Sequence, residues 1–360
     1  MPSKIAVVMK TVLMIVLGSA ALLGQGPGPG PDMTIDAGTR TAVIDGALKA
    51  LEENYVFPES AKKMAEAIRA RQQRKEYDAI TSARQFADIL TEQLRDVSHD
   101  KHLRVAYSSD VLPADRGGPP PPDEVERMRA FGARVNFGFE KVERLEGNIG
   151  YLDLRGFLPA RLAGDTVAAA MNLLANTECL IIDLRQNGGG DPAEVALIAS
   201  YLFGTDPVHL NDLYWRPTNE THQWWTSAWV PGRRLTGKDV YILTSSRTFS
   251  AAEEFTYDLK NLKRATVIGE TTGGGAHPGG PRRINDHFFV NVPSGRAINP
   301  VTKTDWEGKG VEPDVKVPAE QALKTAHLMA LEKELATLKD PGPKAEVSAA
   351  IQKLKKELGR

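Results

Sequence analysis

The chain has 360 residues, 41% of them hydrophobic and 25% charged, which suits a globular protein with one large domain and a smaller one. Its 45 basic and 46 acidic residues give a formal net charge of -1, so there is no basic excess for binding nucleic acid. The only cysteine, Cys179, excludes an intrachain disulfide and lies in an apolar run where a buried, non-catalytic thiol is expected.

The N-terminus has the pattern of a secretory signal peptide. Lys4 and Lys10 supply positive charge, and the apolar run from Thr11 to Leu23 is shorter than the roughly 20 residues of a membrane span. We predict a signal peptide over 1–24, a Gly/Pro tether over 25–34, and a mature protein outside the cytoplasm, periplasmic or secreted. An uncleaved signal segment would instead tether the protein to a membrane.

Helical periodicity follows the tether. Apolar residues recur at intervals of three and four in three stretches between Ala42 and Leu94. The run from Arg116 to Asp123 (RGGPPPPD) has the composition of a linker or an exposed loop. We therefore predict an N-terminal helical domain over 35–110 and a linker over 111–133.

After the linker, strand patterns alternate with helical ones. The predicted strands begin at Ile149, Leu180, Val240, Ala265 and Phe288. Such alternation is typical of an α/β layer architecture. We predict an α/β domain over 134–325 and a charged, helical tail over 326–360.

Four segments carry residues suited to catalysis. In Thr244 to Phe255 (TSSRTFSAAEEF), Ser250 opens a predicted helix, where the dipole and the free N–H groups favour a nucleophile and an oxyanion. The same residues also match a capping box with Glu253, which is a structural role. In Arg185 to Asp191 (RQNGGGD), three glycines leave N–H groups uncovered, which suits an oxyanion donor, a phosphate cradle or simply a tight turn.

The other two segments offer a base and an acid. In Ser98 to Leu103 (SHDKHL), His99 and His102 are candidates for a general base, and no metal-ligand spacing accompanies them, so no metal is predicted. In Asp305 to Asp314 (DWEGKGVEPD), Glu307 is a carboxylate that can orient an imidazole or can simply face solvent.

Together these segments resemble the tail-specific-protease family, and within it the branch of tricorn-core peptidases and interphotoreceptor retinoid-binding protein repeats. The resemblance spans nearly the whole mature chain. It rests on Asn54–Pro58 (NYVFP), Asp100–His102 (DKH), Asn148–Leu152 (NIGYL), Asp183–Gly190 (DLRQNGGG), Thr248–Glu253 (TFSAAE), Gly269–His277 (GETTGGGAH) and Trp306–Asp314 (WEGKGVEPD).

The resemblance implies a crotonase/Clp-protease-like αβ core with an N-terminal helical subdomain, and a serine peptidase without cofactor or metal. Matching the motifs implies Ser250 as nucleophile, His102 as general base and Glu307 as orienting acid. The oxyanion donors would be the N–H groups of Ala251 and of one of two glycines, either Gly188 or Gly189.

Two departures from the family pattern refine this expectation. The lysine of a serine–lysine dyad corresponds here to Gly275, and the serine that precedes the histidine in the tricorn core corresponds to Lys101, so a Ser–His–Glu triad is expected. Fewer than about 50 residues separate His102 from the strand at Ile149, too few for a domain of typical size, so recognition of substrate C-termini by a PDZ module is not expected.

The sequence leaves three functions open. The first is a peptidase that cleaves unfolded or short polypeptides. The second is a non-catalytic carrier of retinoids or fatty acids, supported by the aromatic residues between Tyr214 and Trp229, which either line an apolar ligand site or pack a long insertion onto the core. The third is an inactive protein-interaction module.

Overall fold

The computed structural model describes residues 30–114 and 120–359. The predicted signal peptide and the first half of the predicted tether lie outside these residues. In the described part of the chain, no helix combines the length and the apolar character needed to cross a membrane.

Nine α-helices, a short 3-10 helix (Asn136–Gly138) and twelve strands form in the described ranges. The helices are α1 (Ala37–Asn54), α2 (Pro58–Gln73), α3 (Ala83–Ser98), α4 (Pro122–Arg134), α5 (Ala160–Leu173), α6 (Pro192–Leu202), α7 (Ala251–Asn261), α8 (Ala319–Thr337) and α9 (Pro341–Glu357). The strands are β1 (Arg104–Tyr107), β2 (Phe139–Leu145), β3 (Ile149–Leu154), β4 (Cys179–Asp183), β5 (His209–Trp215), β6 (Glu220–Trp225), β7 (Asp239–Thr244), β8 (Thr266–Gly269), β9 (Gly279–Arg283), β10 (Phe288–Pro293), β11 (Gly295–Ile298) and β12 (Val315–Lys316).

A six-stranded sheet of order β12-β8-β7-β4-β3-β2 forms the centre of the larger domain. All neighbours in it are parallel except β2, which runs antiparallel to β3. Strand β4 is buried along its whole length because helices cover both faces of the sheet. Its residues Leu180 and Ile182 join the core beneath α5, α6 and α7, whereas Cys179 and Ile181 face α8 and α9. The predicted α/β architecture and helical N-terminal region are confirmed.

The N-terminal helices pack on a second sheet, of order β1-β10-β9. Strand β1 pairs antiparallel with β10, with Arg104 opposite Asn291 and Tyr107 opposite Phe288. Phe288 and Val290 of β10 are fully buried against the helical core. The predicted boundary at residue 110 therefore cuts through a packed unit, because the helices bury their apolar faces on strands from much later in the chain.

Residues 122–134, within the second half of the predicted linker, form helix α4. Pro122 occupies the first helical turn, where its missing N–H costs nothing, and Asp123 and Glu124 favour the positive helix end. The proline run marks the entry to a helix here.

The aromatic segment forms a hairpin, β5-β6, that joins β11 in a third sheet. Trp215 and Trp224 pack against buried clusters of the core, and Trp225 stacks on His209 with the ring centroids 4.2 Å apart. Trp229 is 73% exposed. These contacts match the packing interpretation of the aromatic residues and lend no support to a ligand carrier.

Candidate active site

The catalytic candidates converge at one edge of the central sheet. The loops after β4, β7 and β8 all leave from the carboxyl ends of parallel strands, the edge at which α/β folds place their sites. The first two loops are joined directly, since the N–H of Phe249 donates to the carbonyl of Asn187 at 3.1 Å. The third joins them through the N–H of Gly273, which donates to the carbonyl of Thr248.

Ser250 lies immediately before α7 with φ of 55° and ψ of -122°, a conformation that non-glycine residues rarely adopt. Its side chain forms no N-cap hydrogen bond to the first turn of the helix. The side chain of Ser250 is half-buried. A strained serine at the positive end of a helix is a functional-site signal rather than an ordinary cap.

Glu253 explains how this conformation is held. Its buried carboxylate accepts hydrogen bonds from the N–H of Ser250 at 2.9 Å, from the N–H groups of Gly274 and Gly275, and from the hydroxyl of Thr272. Burial raises the pKa of Glu253, and these four donors oppose that shift. The sequence pattern identified the helix start but missed the role of Glu253 as the anchor between two loops.

The glycine-rich loop approaches Ser250 closely. A Cβ on Gly189, whose φ is +106°, would lie 2.7 Å from the Cβ of Ser250 and 2.9 Å from the nitrogen of Ala251. The N–H of Gly189 donates to Oδ1 of Asn187 at 2.8 Å, so it is not free to bind an oxyanion. Within the described residues, the N–H groups of Gly188 and Ala251 have no hydrogen-bond partner. The geometry therefore favours Gly188 over Gly189 as the donor.

His102 lies against the residue that precedes the serine. Its ring centroid is 4.6 Å from that of Phe249, and its buried Nδ1 has no hydrogen-bond partner. Burial lowers the pKa of His102 to about 4, although the nearby Asp100 carboxylate opposes the shift, so the ring is neutral at pH 7. The other candidate, His99, is an exposed residue in a left-handed conformation that ends α3.

Gly275 packs directly on these rings. A Cβ at this position would lie 2.3 Å from Cζ of Phe249 and 2.7 Å from Cε1 of His102. The position that matches the lysine of a serine–lysine dyad therefore has no room for a side chain. Lys101, which matches the serine of the tricorn core, is exposed and donates through Nζ to the carbonyl of Gly273.

Glu307 contacts the loop that carries Gly275. It makes no hydrogen bond to Nδ1 of His102, which is unpaired. Its Oε2 accepts the N–H of Ala276 and lies 3.5 Å from Nδ1 of His277, while its buried Oε1 is unpaired. Burial and then the charge of Asp100 raise the pKa of Glu307 to about 7, and His277 opposes this shift. The structure thus places an additional histidine beside the acid.

His277 belongs to a buried network that the sequence reasoning missed. Its Nδ1 lies 2.9 Å from Oδ2 of Asp100, which also accepts the hydroxyl of Tyr55 at 3.1 Å. Oδ1 of Asp100 accepts the backbone N–H of His102. These residues lay within the motifs DKH, NYVFP and GETTGGGAH, so the sequence signal existed but gave them no role.

Asp100, His277 and Glu307 also form a group with the spacing of a metal site, since one potential ligand atom from each lies within 4.8 Å of the others. Oδ2 of Asp100 and Oε2 of Glu307, however, already face N–H or O–H donors from Tyr55, Ala276 and the imidazole. We therefore interpret the group as a hydrogen-bonded cluster.

Two family models match the chain consecutively. The model described as the N-terminal domain of Peptidase_S41 in eukaryotic IRBP matches residues 38–146, and that described as peptidase family S41 matches residues 148–317. The chain belongs to peptidase family S41. As an S41 member it is a serine-type peptidase, which confirms the resemblance inferred from its motifs.

Solved structures share the fold of this S41 peptidase. A candidate peptidase from Parabacteroides merdae matches with a TM-score of 0.57 at 17% identity, covering 83% of this chain and 99% of that one. The photosystem II D1 C-terminal processing protease matches with a TM-score of 0.50 at 17% identity, over 78% of this chain and 94% of that one. The tricorn protease matches with a TM-score of 0.50 at 16% identity, over 87% of this chain and 36% of that one.

Proposed function

We propose that this S41 peptidase cleaves unfolded or short polypeptides outside the cytoplasm, with Ser250 as nucleophile, His102 as general base and Glu307 as the acid that orients the base. The N–H groups of Ala251 and Gly188 would hold the oxyanion. The observation that carries the proposal is the conformation of Ser250. Its strained backbone, whose N–H is bonded to Glu253, and the unpaired N–H groups of Ala251 and of the nearby glycine loop support this proposal.

The proposed reaction is acyl transfer. The hydroxyl of Ser250 attacks the peptide carbonyl as neutral His102 takes its proton, and the imidazolium then protonates the leaving amine. Water releases the acyl group by the same steps in reverse. The unpaired Nδ1 of His102 and the unpaired Oε1 of Glu307 are the atoms that would meet when the imidazolium forms, as catalytic hydrogen bonds often tighten only in the substrate complex.

The location of the enzyme is inferred from its N-terminal sequence. Lys4, Lys10 and the apolar run from Thr11 to Leu23 support export through a signal peptide. N-terminal sequencing of protein recovered from a fractionated native host tests this inference. A start between residues 20 and 30 in the extracytoplasmic fraction is expected, whereas an intact Met1 in the cytoplasmic fraction would contradict it.

The assignment of residues is tested with a fluorophosphonate probe and an unfolded polypeptide substrate. We expect labelling and cleavage in the wild type, neither in Ser250→Ala, and a loss of at least about 10²-fold in His102→Ala. His99→Ala is the matched control and should retain full activity, because His99 is exposed at the end of α3. Equal rates in the wild type, Ser250→Ala and His102→Ala would reject the assignment.

A further inference from the structure

His277 is a buried histidine that the proposed mechanism leaves without a role. Its Nδ1 lies between two carboxylates, 2.9 Å from Oδ2 of Asp100 and 3.5 Å from Oε2 of Glu307. The ring also packs edge-on against Phe57, with the centroids 5.2 Å apart. A surface histidine has no such enclosure, so this placement calls for a function.

The groups around the imidazole are predominantly anionic. Asp100 comes from the turn before β1, and Glu307 and Asp305 come from the segment before β12. Burial alone would lower the pKa of His277, but the hydrogen bond and charge of Asp100, followed by the charges of Glu307 and Asp305, outweigh it and raise the pKa.

The remaining polar neighbours do not cancel this negative field. Tyr55 donates its hydroxyl to Asp100, and His102 is neutral at pH 7. Two cations lie nearby: Lys101 donates to the carbonyl of Gly273, and Arg95 donates to the carbonyls of Leu103 and Lys101. His277 is the basic group in contact with both carboxylates.

We propose that His277 is a positioning residue of this peptidase: as an imidazolium between Asp100 and Glu307, it favours the carboxylate form of Glu307 and fixes Glu307 on the loop that packs against His102. The proposal deepens the proposed function and rests on it for its catalytic consequence. Asp100 also accepts the backbone N–H of His102, and Oε1 of Glu307 is buried without a partner.

The N-terminal domain takes part in this arrangement. Tyr55 and Phe57, from the NYVFP motif at the end of α1, contact Asp100 and His277 respectively. The backbone N–H of Val56 is bonded to the carbonyl of Pro293 at the end of β10, which fixes the motif against the sheet. The helical domain thus supports the side of the site opposite to the nucleophile helix.

The bridge is first tested without turnover, in Ser250→Ala protein with ¹⁵N-labelled histidine. Side-chain NMR over a pH series gives the pKa of His277, whose signals are assigned by their loss in His277→Asn. We expect a pKa above the ordinary value near 6.5, and a decrease of about 1 unit when Glu307→Gln removes one carboxylate. A pKa at or below the ordinary value, or one that Glu307→Gln leaves unchanged, would overturn the proposal whether or not the protein is a peptidase.

The catalytic consequence is tested by the pH dependence of fluorophosphonate labelling at Ser250. Without the imidazolium, Glu307 gains its proton at higher pH, so the acid limb of His277→Ala should move up by about 1 unit, with labelling about tenfold slower below it and recovering above it. His277→Asn keeps a donor near Nδ1 without the charge, and should show the same shift with a wild-type plateau.

An equal loss at every pH in both variants would mean that His277 is only structural, and wild-type profiles in both would mean that it has no role. Failure of the wild type to be labelled at any pH would instead count against the proposed function. The NMR titration then decides the bridge by itself, so the two failures are distinguishable.

Discussion

Glu253 accepts a hydrogen bond from the backbone N–H of Ser250 at 2.9 Å while its other oxygen binds the N–H of Gly274. One buried carboxylate therefore fixes both the strained serine and the loop that packs on His102. The sequence pattern assigns Glu253 to a helix cap, whereas in the fold it connects the proposed nucleophile with the loop against the proposed base.

Glu253→Gln should disrupt this link. The amide nitrogen of glutamine turns a donor towards N–H groups that need an acceptor, so we expect the free energy of unfolding to fall by about 2 kcal/mol or more. Labelling of Ser250 should fall at least about tenfold, since the loops lose their shared anchor. Urea unfolding and probe kinetics measure the two effects. Unchanged labelling in a folded variant would show that Glu253 does not hold the nucleophile.

The neighbouring residue Glu254 should make the stability of the folded protein depend on pH. Burial raises its pKa from 4.5 to about 7 in the folded protein, so the folded state keeps a proton that the unfolded chain loses as the pH rises. The stability contributed by this group is therefore present below about pH 4.5 and is lost as the pH rises towards 7. Neutral Glu254→Gln should escape that loss and gain about 3 kcal/mol relative to the wild type between pH 4.5 and pH 8. Urea unfolding of both proteins at pH 4.5 and pH 8 measures the difference in their free energies of unfolding. A difference of the same size at the two pH values would contradict the prediction.

Gly189→Ala should abolish labelling of Ser250. The added Cβ would lie 2.7 Å from the Cβ of Ser250 at a φ of +106°, so the glycine loop and the nucleophile cannot both keep their positions. Gly164→Ala is the matched control, because its Cβ meets nothing within 4 Å on helix α5. It should keep full activity and stabilise the protein by roughly 0.5–1 kcal/mol. Equal labelling in the two variants would contradict the close approach of the loop.

Cys179 should be inert in the native protein. Burial raises the pKa of its thiol to about 12, and the side chain lies in strand β4 between the sheet and the C-terminal helices. We expect no alkylation by iodoacetamide at pH 8 and no loss of peptidase activity, with rapid alkylation once the chain is unfolded in urea. Mass spectrometry of the two samples measures modification, and inactivation of the folded enzyme by the reagent would point to an accessible thiol.

Local patterns predicted much of this protein. The three N-terminal helices, the buried strands β3, β4 and β7, and the start of α7 at Ser250 follow from apolar spacing and helix-start signals, which act over a few residues. The motifs also gave the family and the candidate roles of Ser250, His102 and Glu307. The proline run gave no sign of α4, because such a composition occurs before a helix as well as in a loop.

Other features depend on long-range packing, which spacing does not encode. The hydrogen bond between Asp100 and His277 joins residues 177 positions apart, and β1 pairs with β10 across a similar separation in sequence. Which of Gly188 and Gly189 has a free N–H depends on the side chain of Asn187, which binds the N–H of Gly189. Residue types and order determined which chemistry is available, whereas only the folded chain decided which groups meet, because burial and hydrogen bonding between distant segments are set by the tertiary structure.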